Sequence, residues 1–270
     1  MIDVVLLDMH HGWPNLGHEA LVHGLQNAVC DLREPLLRAR LNVRVTSYDV
    51  RRGQALPDPP GGHHTIYVGT DDPRHLDPAA NDGREGSQGI VENPAWEARL
   101  FTLVDAIRGD QRASLFTVCH TFNVMCRWLG IADAVLRDAE KGGTSVSVRH
   151  NVLSSEGQDH PWFTSLARAH GSDARFPVLD NRLYDLIPRP ATPAGFRQLA
   201  VECDDDGALG DAVTMLDRYR SLGLEHLLDS VTDALTSLQP GSREWRALPP
   251  DWRTVGVRQA RGHRDCQRRG

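Results

Sequence analysis

This sequence has no long hydrophobic run and no CxxC cysteine pair, and its first residues do not have the pattern of a secretory leader. No apolar stretch approaches the ~20 residues that a membrane helix needs, so we expect no membrane span. The five cysteines are scattered and form no CxxC pair, which argues against a disulfide framework and a zinc site. The first residues carry no basic segment before their short apolar run, so a secretory signal is not expected. These absences predict a cytoplasmic protein.

Lysine is almost absent, and the basic charge is concentrated at one end of the chain. Lys141 is the single lysine among 30 basic residues, against 36 acidic ones, for a net charge of −6. Between Arg243 and Gly270 the sequence has eight arginines and three acidic residues, a net charge of +5. Residues 1–242 therefore carry a net charge of −11. A strongly acidic body is a poor partner for nucleic acid. Hydrophobic residues make up 40% of the chain, as in an ordinary globular protein.

Apolar runs that suit buried strands alternate with segments of helical periodicity. We predict strands at 2–7, 42–48, 65–69, 113–118 and 199–203, shorter strands within 134–155, and helices at 19–40, 96–107, 122–129, 161–170, 208–219 and 224–238. Pro35 should end or kink the first helix. Alternating strands and helices imply a parallel sheet with right-handed crossovers.

Two segments have no apolar period. Residues 71–94 are polar, and their length exceeds an ordinary connection, which predicts a functional loop or a lid. Residues 240–270 are rich in Arg, Gly and Pro and are predicted to be a disordered basic tail. We therefore expect one domain over residues 1–239 followed by that tail.

The clearest local signal for chemistry is Cys119, at the end of a predicted strand and the start of a predicted helix. A nucleophile at such a turn projects from the carboxyl end of a sheet, next to helix N–H groups that can stabilise an oxyanion. The helix end should also lower the thiol pKa, and the thiolate is the reactive form. The competing interpretation is that Cys119 is one more buried and inert cysteine.

The strand, the Cys119 turn and the helix are followed by EKGGT at 140–144 and HPWF at 160–163. In this order they resemble the class I glutamine amidotransferases, over roughly residues 1–217. The resemblance implies a flavodoxin-like three-layer α/β/α sandwich with a mostly parallel central sheet. It also implies that a Cys nucleophile hydrolyses the side-chain amide of glutamine, and that ammonia passes to a partner synthase domain or subunit.

The same resemblance assigns the candidate site residues. Cys119 aligns with the nucleophile, and the backbone N–H of His120 with one oxyanion donor. The segment that contains Gly69, Thr70 and Asp71 aligns with the Gly-Gly-Pro loop that supplies the other donor. A third segment aligns with a substrate-side loop, and its residues are Glu140, Lys141 and Gly142. No cofactor and no metal are expected, since neither a phosphate-binding glycine motif nor H-E-x-x-H occurs.

Two features depart from the family. Asp71 and Asp72 stand where the family has glycines, and a carboxylate there repels a developing oxyanion. The family's late His-Pro-Glu, which provides the general base and its orienting carboxylate, is missing from this sequence. The only histidines after residue 217 are His226 and His263. The change in character after about residue 219 also fits a truncated or frameshifted C-terminus. We therefore expect a degenerate amidotransferase with little or no glutaminase turnover, that is, a pseudoenzyme.

Two alternatives remain open at this point. In the intracellular cysteine peptidase branch of the same superfamily, the His that follows the nucleophile is the base. His120 would then serve Cys119, with help from Asp8 or Asp71. The second alternative is a non-catalytic protein that keeps the pocket and binds glutamine, a related small molecule or a partner protein.

Overall fold

The structure, a computed structural model, describes most of the first 217 residues. The described residues are 1–10, 16–72, 75–84, 90–137, 145–160, 163, 167, 174–190, 195–204 and 206–217. They fall into two compact units: residues 1–69 with 95–116, and residues 70–94 with the described part of 117–220. None of the helices in the described part of the chain is long and apolar enough to cross a membrane.

The first unit holds a four-stranded parallel sheet in the order β2-β1-β3-β4. Its strands are β1 (Ile2–Asp8), β2 (Val43–Asp49), β3 (His64–Gly69) and β4 (Ala113–Thr117). In the register of β1, Val4 lies opposite Val45 of β2 and Ile66 of β3. Six consecutive residues of β1 are buried, as expected for an inner strand of a parallel sheet, so the predicted strands of this unit are confirmed.

Three helices belong to the first unit: α1 (Leu16–Asp31), α2 (Arg33–Arg38) and α3 (Ala95–Gly109). Leu21 and Leu25 of α1 pack against a buried cluster formed by Val4, Leu6 and Val68 of the sheet. The predicted helix at 19–40 is interrupted after α1, and Pro35 lies in the first turn of α2, where its missing N–H is tolerated.

The second unit is built on antiparallel strands, which the sequence reasoning did not foresee. One sheet has the order β10-β9-β6-β7, and β5 pairs with β8 in a second one. Its elements are a short 3-10 helix (Pro78–Ala80), α4 (Cys119–Leu129), β5 (Ala132–Leu136), β6 (Ser145–Leu153), α5 (Ser155–Asp159), β7 (Arg175–Arg182), β8 (Tyr184–Pro188), β9 (Arg197–Cys203) and β10 (Leu209–Asp217). α4 ends at Gly130, which has a φ of 67°, as predicted.

The predicted helix at 208–219 is wrong, because residues 209–217 form strand β10. The pairing of β10 with β9 is irregular and shifts register three times between Leu209 and Leu216. Such bulges break the two-residue alternation of a strand. The apolar residues of β10 fall at 212–213 and again at 215–216, which is also the spacing of a helix face. This spacing is the reason that the sequence predicted a helix here.

Several predictions lie outside the described residues: the helix at 224–238, the basic tail at 240–270, and most of the helix at 161–170. In that last segment the N–H of Ala167 donates to the carbonyl of Phe163 at 2.8 Å, the spacing of one helical turn. In the described part of the predicted loop at 71–94, the structure places the 3-10 helix and an isolated bridge between Asp82 and Val91.

Candidate functional site

The backbone turns sharply at Cys119. Val118 is extended, with φ −121° and ψ 142°, and α4 begins at the next residue. Cys119 itself has a φ of 48°, in the left-handed region that a residue with a Cβ adopts only at a cost of roughly 1–2 kcal/mol. Residues held in this way cluster at functional sites, where the surrounding structure fixes them. The predicted strand-to-helix turn is therefore present, and it is strained at the cysteine.

A buried hydrogen bond ties this turn to the loop that follows β3. The hydroxyl of Thr121, in the first turn of α4, donates to the carbonyl oxygen of Thr70 at 2.5 Å. Both residues are almost fully buried, with exposures of 1% and 0%. The next two residues, Asp71 and Asp72, are thereby held beside the start of the helix. The sequence predicted that Cys119, Thr70 and Asp71 share one site, and the structure brings them together.

The thiol of Cys119 is partly buried and lies in a field of carboxylates. Burial is the largest influence and raises the pKa of Cys119 to about 11, and the charge of Asp71 is the next. Asp180 and Asp72 raise it further, whereas a hydrogen bond from the backbone N–H of His120 lowers it. That N–H is the one expected to serve as an oxyanion donor.

The N–H at the helix end lowers the thiol pKa, as expected, but the surroundings as a whole raise it. One N–H at the start of α4 stabilises negative charge on the sulfur, but desolvation and three carboxylates oppose it. With a pKa near 11, only about one molecule in 10⁴ carries the thiolate at pH 7. The geometry is that of a nucleophile turn, while the electrostatics keep the nucleophile protonated.

The described histidines form no metal site. His120 is buried, with 2% exposure, directly after Cys119. His18 bonds to the Ser47 hydroxyl at 2.7 Å, and His75 to the Tyr184 hydroxyl at 3.1 Å. Within the described ranges no group of three or more His, Cys, Asp or Glu side chains could hold a metal ion.

Of the other predicted site residues, Gly69 and Asp8 are described as parts of the first unit. Gly69 is the buried last residue of β3 and belongs to the first unit. Asp8 uses its carboxylate to accept a hydrogen bond from the His10 N–H at 3.0 Å. Glu140, Lys141 and Gly142, like the two late histidines of the sequence, lie outside the described residues.

Sequence reasoning missed two residues at this site, Asp180 and Thr121. Asp180 lies on β7, a strand with Pro177 in its middle, and its side chain is 13% exposed and ion-paired with Arg182 at 3.5 Å. Nothing in the local pattern could have placed it near Cys119. Thr121 lies two residues after the cysteine, but its hydrogen bond to the Thr70 carbonyl could not be predicted from the local sequence.

Comparisons with known proteins provide little beyond this geometry. No protein-family model matches the chain, and no curated protein matches it. Among solved structures, the crystal structure of SMU.1228c matches with a TM-score of 0.45 and 11% sequence identity. The match covers 90% of this chain and 84% of that one. At this similarity it carries no argument about function, which rests on the site itself.

Proposed function

We propose that this chain is a class I glutamine amidotransferase-like protein in which Cys119 attacks the side-chain amide of glutamine, with turnover strongly impaired. The observation that carries the proposal is the strained backbone at Cys119, with a φ of 48° between an extended residue and the first turn of α4. A structural cysteine gains nothing from that conformation, whereas a nucleophile gains exposure and adjacent N–H donors.

The proposed reaction uses the Cys119 sulfur, the His120 N–H and water. The Cys119 thiolate adds to the amide carbon, and the His120 N–H, which already donates to the sulfur, lies next to the developing oxyanion. Collapse of the adduct breaks the carbon–nitrogen bond, and the proton lost from the thiol leaves with the nitrogen as ammonia. Water then hydrolyses the thioester to glutamate and restores the thiol.

Impaired turnover follows from the same environment. The carboxylate of Asp71 both raises the pKa of Cys119 and opposes negative charge on a nearby oxyanion. The chain also has no His-Pro-Glu to remove the thiol proton. In the alternative that assigns the base to His120, as in the intracellular cysteine peptidase branch, the buried imidazole would have to accept that proton.

A non-catalytic binding protein is the second candidate, and the raised thiol pKa is the observation that favours it. A protonated sulfur with carboxylates around it can contact a ligand without attacking it. In this second candidate function the site binds glutamine, a related small molecule or a partner protein. The strained turn at Cys119 then has a structural role and no catalytic one.

The rest of the proposal extends beyond the catalytic residues. The strand order β2-β1-β3-β4 matches the first four strands of the flavodoxin-like order 2-1-3-4-5, which supports a flavodoxin-like three-layer sandwich. We place the protein in the cytoplasm, without nucleic-acid or membrane partners. We also propose an ammonia-accepting synthase subunit as a partner.

Glutamate release from glutamine tests the proposal. The comparison uses wild type, Cys119→Ala and the matched control Cys126→Ala, which removes a buried thiol from the same helix. We expect slow release in wild type and in the control, and none in Cys119→Ala. The rate should rise about tenfold per pH unit between about pH 7 and pH 9, because the thiolate fraction does so below the thiol pKa.

Two results would overturn the catalytic proposal. One is release that survives in Cys119→Ala. The other is no release at any pH in protein that is folded by circular dichroism, which leaves the binding candidate in its place.

A further inference from the structure

A polar cavity opens in the antiparallel unit, on residues outside the Cys119 turn. Its volume is about 320 Å³, at the small end of the range for ligand pockets. Arg137, which follows β5, and Arg149 of β6 contribute guanidinium groups to its lining. The hairpin between β9 and β10 closes one side, and Ile187 and Leu209 add apolar surface.

The wall of the cavity is a chain of ion pairs. Arg137 contacts Asp185 at 2.8 Å, and their side chains are only 9% and 10% exposed. Arg182, behind the lining, contacts Asp185 at 3.2 Å and also Glu202. Arg149 approaches the other side of Glu202 at 3.9 Å. Removing these charges from water is costly, and well-packed apolar residues are often at least as stable in such positions. What the chain of pairs does provide is a rigid, preoriented set of charges.

Carboxylates outnumber guanidiniums around this space. The lining has two guanidiniums against the carboxylates of Asp185, Glu202, Asp204 and Asp211. Arg182 does not reverse the balance, because it also pairs with Asp180 at 3.5 Å, and Arg175, which donates to the backbone carbonyl of Asp204 at 3.1 Å, does not reverse it either. Carboxylates therefore remain in excess, and a ligand's positive charge is favoured there.

A tight turn contributes to the lining of the cavity. The carboxylate of Asp204 accepts a hydrogen bond from the N–H of Ala208 at 2.7 Å, and Gly207 has a φ of 86°, which suits glycine. This turn fixes Asp204 in the lining. Asp211, on β10, is exposed, so its carboxylate can bind a solute that reaches the cavity from solvent.

We infer that this cavity binds a small organic cation, with an ammonium or guanidinium group toward Asp211 and Glu202 and a short apolar body against Ile187 and Leu209. The inference does not depend on glutamine chemistry at Cys119. Charge-assisted hydrogen bonds between the cation and the carboxylates supply the selectivity, and the cavity volume limits the size.

Four matched probes test this on the full chain: butylguanidinium, butylammonium, butyrate and butanol. Their affinities are measured by ligand-observed nuclear magnetic resonance and compared between wild type, Asp211→Asn and Asp31→Asn. The last variant makes the same charge change at the exposed end of α1. Hydrogen exchange of residues 208–212, with and without butylguanidinium, reports where the probe binds.

We expect the two cations to bind more tightly than butyrate and butanol, and butylguanidinium to slow exchange in residues 208–212. Asp211→Asn should weaken butylguanidinium about 3- to 10-fold, while Asp31→Asn changes nothing. The inference is overturned if butyrate or butanol binds as tightly as the cations, if no cation binds saturably, or if Asp211→Asn binds like wild type. Because Asp211 is exposed, the variant should keep the melting temperature of wild type, and so a lost affinity reports the site.

Discussion

Replacement of Asp71 by asparagine tests whether carboxylates hold the Cys119 thiol in its protonated form. The hydrogen bond from Thr121 to the Thr70 carbonyl keeps the Asp71 backbone beside α4, and its charge raises the Cys119 pKa more than any other charge does. Asparagine keeps the shape and removes the charge. The Cys119 pKa should therefore fall, and a shift on the order of one unit is typical when a nearby charge is removed.

The expected change in reactivity is smaller than the change in thiolate population. Below the pKa, a fall of one unit raises the thiolate fraction about tenfold. The intrinsic nucleophilicity of the sulfur falls about threefold at the same time, since a less basic thiolate is a weaker nucleophile. The net alkylation rate of Cys119 at a fixed pH near 8 should rise about threefold in Asp71→Asn.

The assay is iodoacetamide alkylation followed by peptide mass spectrometry, which resolves each cysteine. Cys30 is exposed and gives an internal reference rate, while buried Cys126 reports unfolding if it becomes labelled. Asp159→Asn makes the same charge change at an exposed position at the end of α5 and should leave the Cys119 rate unchanged. An unchanged or slower Cys119 rate in folded Asp71→Asn would refute the electrostatic argument.

Three further changes test the geometry of the site and its unit. At a φ of 48°, Cys119→Gly should be more stable than Cys119→Ala by about 0.5–1 kcal/mol in urea unfolding; the reverse order would mean that the turn is unstrained. Thr121→Val removes the hydroxyl that donates to the buried Thr70 carbonyl and should lower the free energy of unfolding by about 1–3 kcal/mol, with Thr121→Ser retaining most of the stability. Gly157→Ala drives a Cβ into a backbone carbonyl of β9 and should destabilise by about 1–3 kcal/mol, whereas Gly109→Ala, with open space around it, should be neutral or stabilising; equal melting temperatures would contradict this packing.

The parallel half of the fold was predictable because its strands carry an unambiguous signal. The run from Ile2 to Leu7 is apolar at almost every position, as a strand buried on both faces requires, and α3 shows a regular apolar face. The antiparallel half lacks such signals. β7 contains Pro177 and begins and ends with arginine, while the bulges of β10 imitate helical spacing.

The site divides in the same way. Local sequence located the turn at Cys119 and the neighbouring loop with Asp71, since both follow apolar strands of one parallel sheet. The direction of the thiol pKa was not predictable, because it depends on how deeply the sulfur is buried and on Asp180, a residue some sixty positions away in the chain. The field at a sulfur is a property of tertiary structure, and a helix end alone does not determine it.

The most direct test of the central claim is mass spectrometry after treatment with a chloroketone analogue of glutamine, alongside an active amidotransferase as the positive control. The reagent's glutamine-like part must bind before its ketone reaches a sulfur. If Cys119 is the nucleophile of a glutamine site, one adduct forms on Cys119, faster at higher pH, and free glutamine competes with it. Unlabelled Cys119 under conditions that label the control enzyme, or labelling that glutamine does not slow, would contradict the assignment.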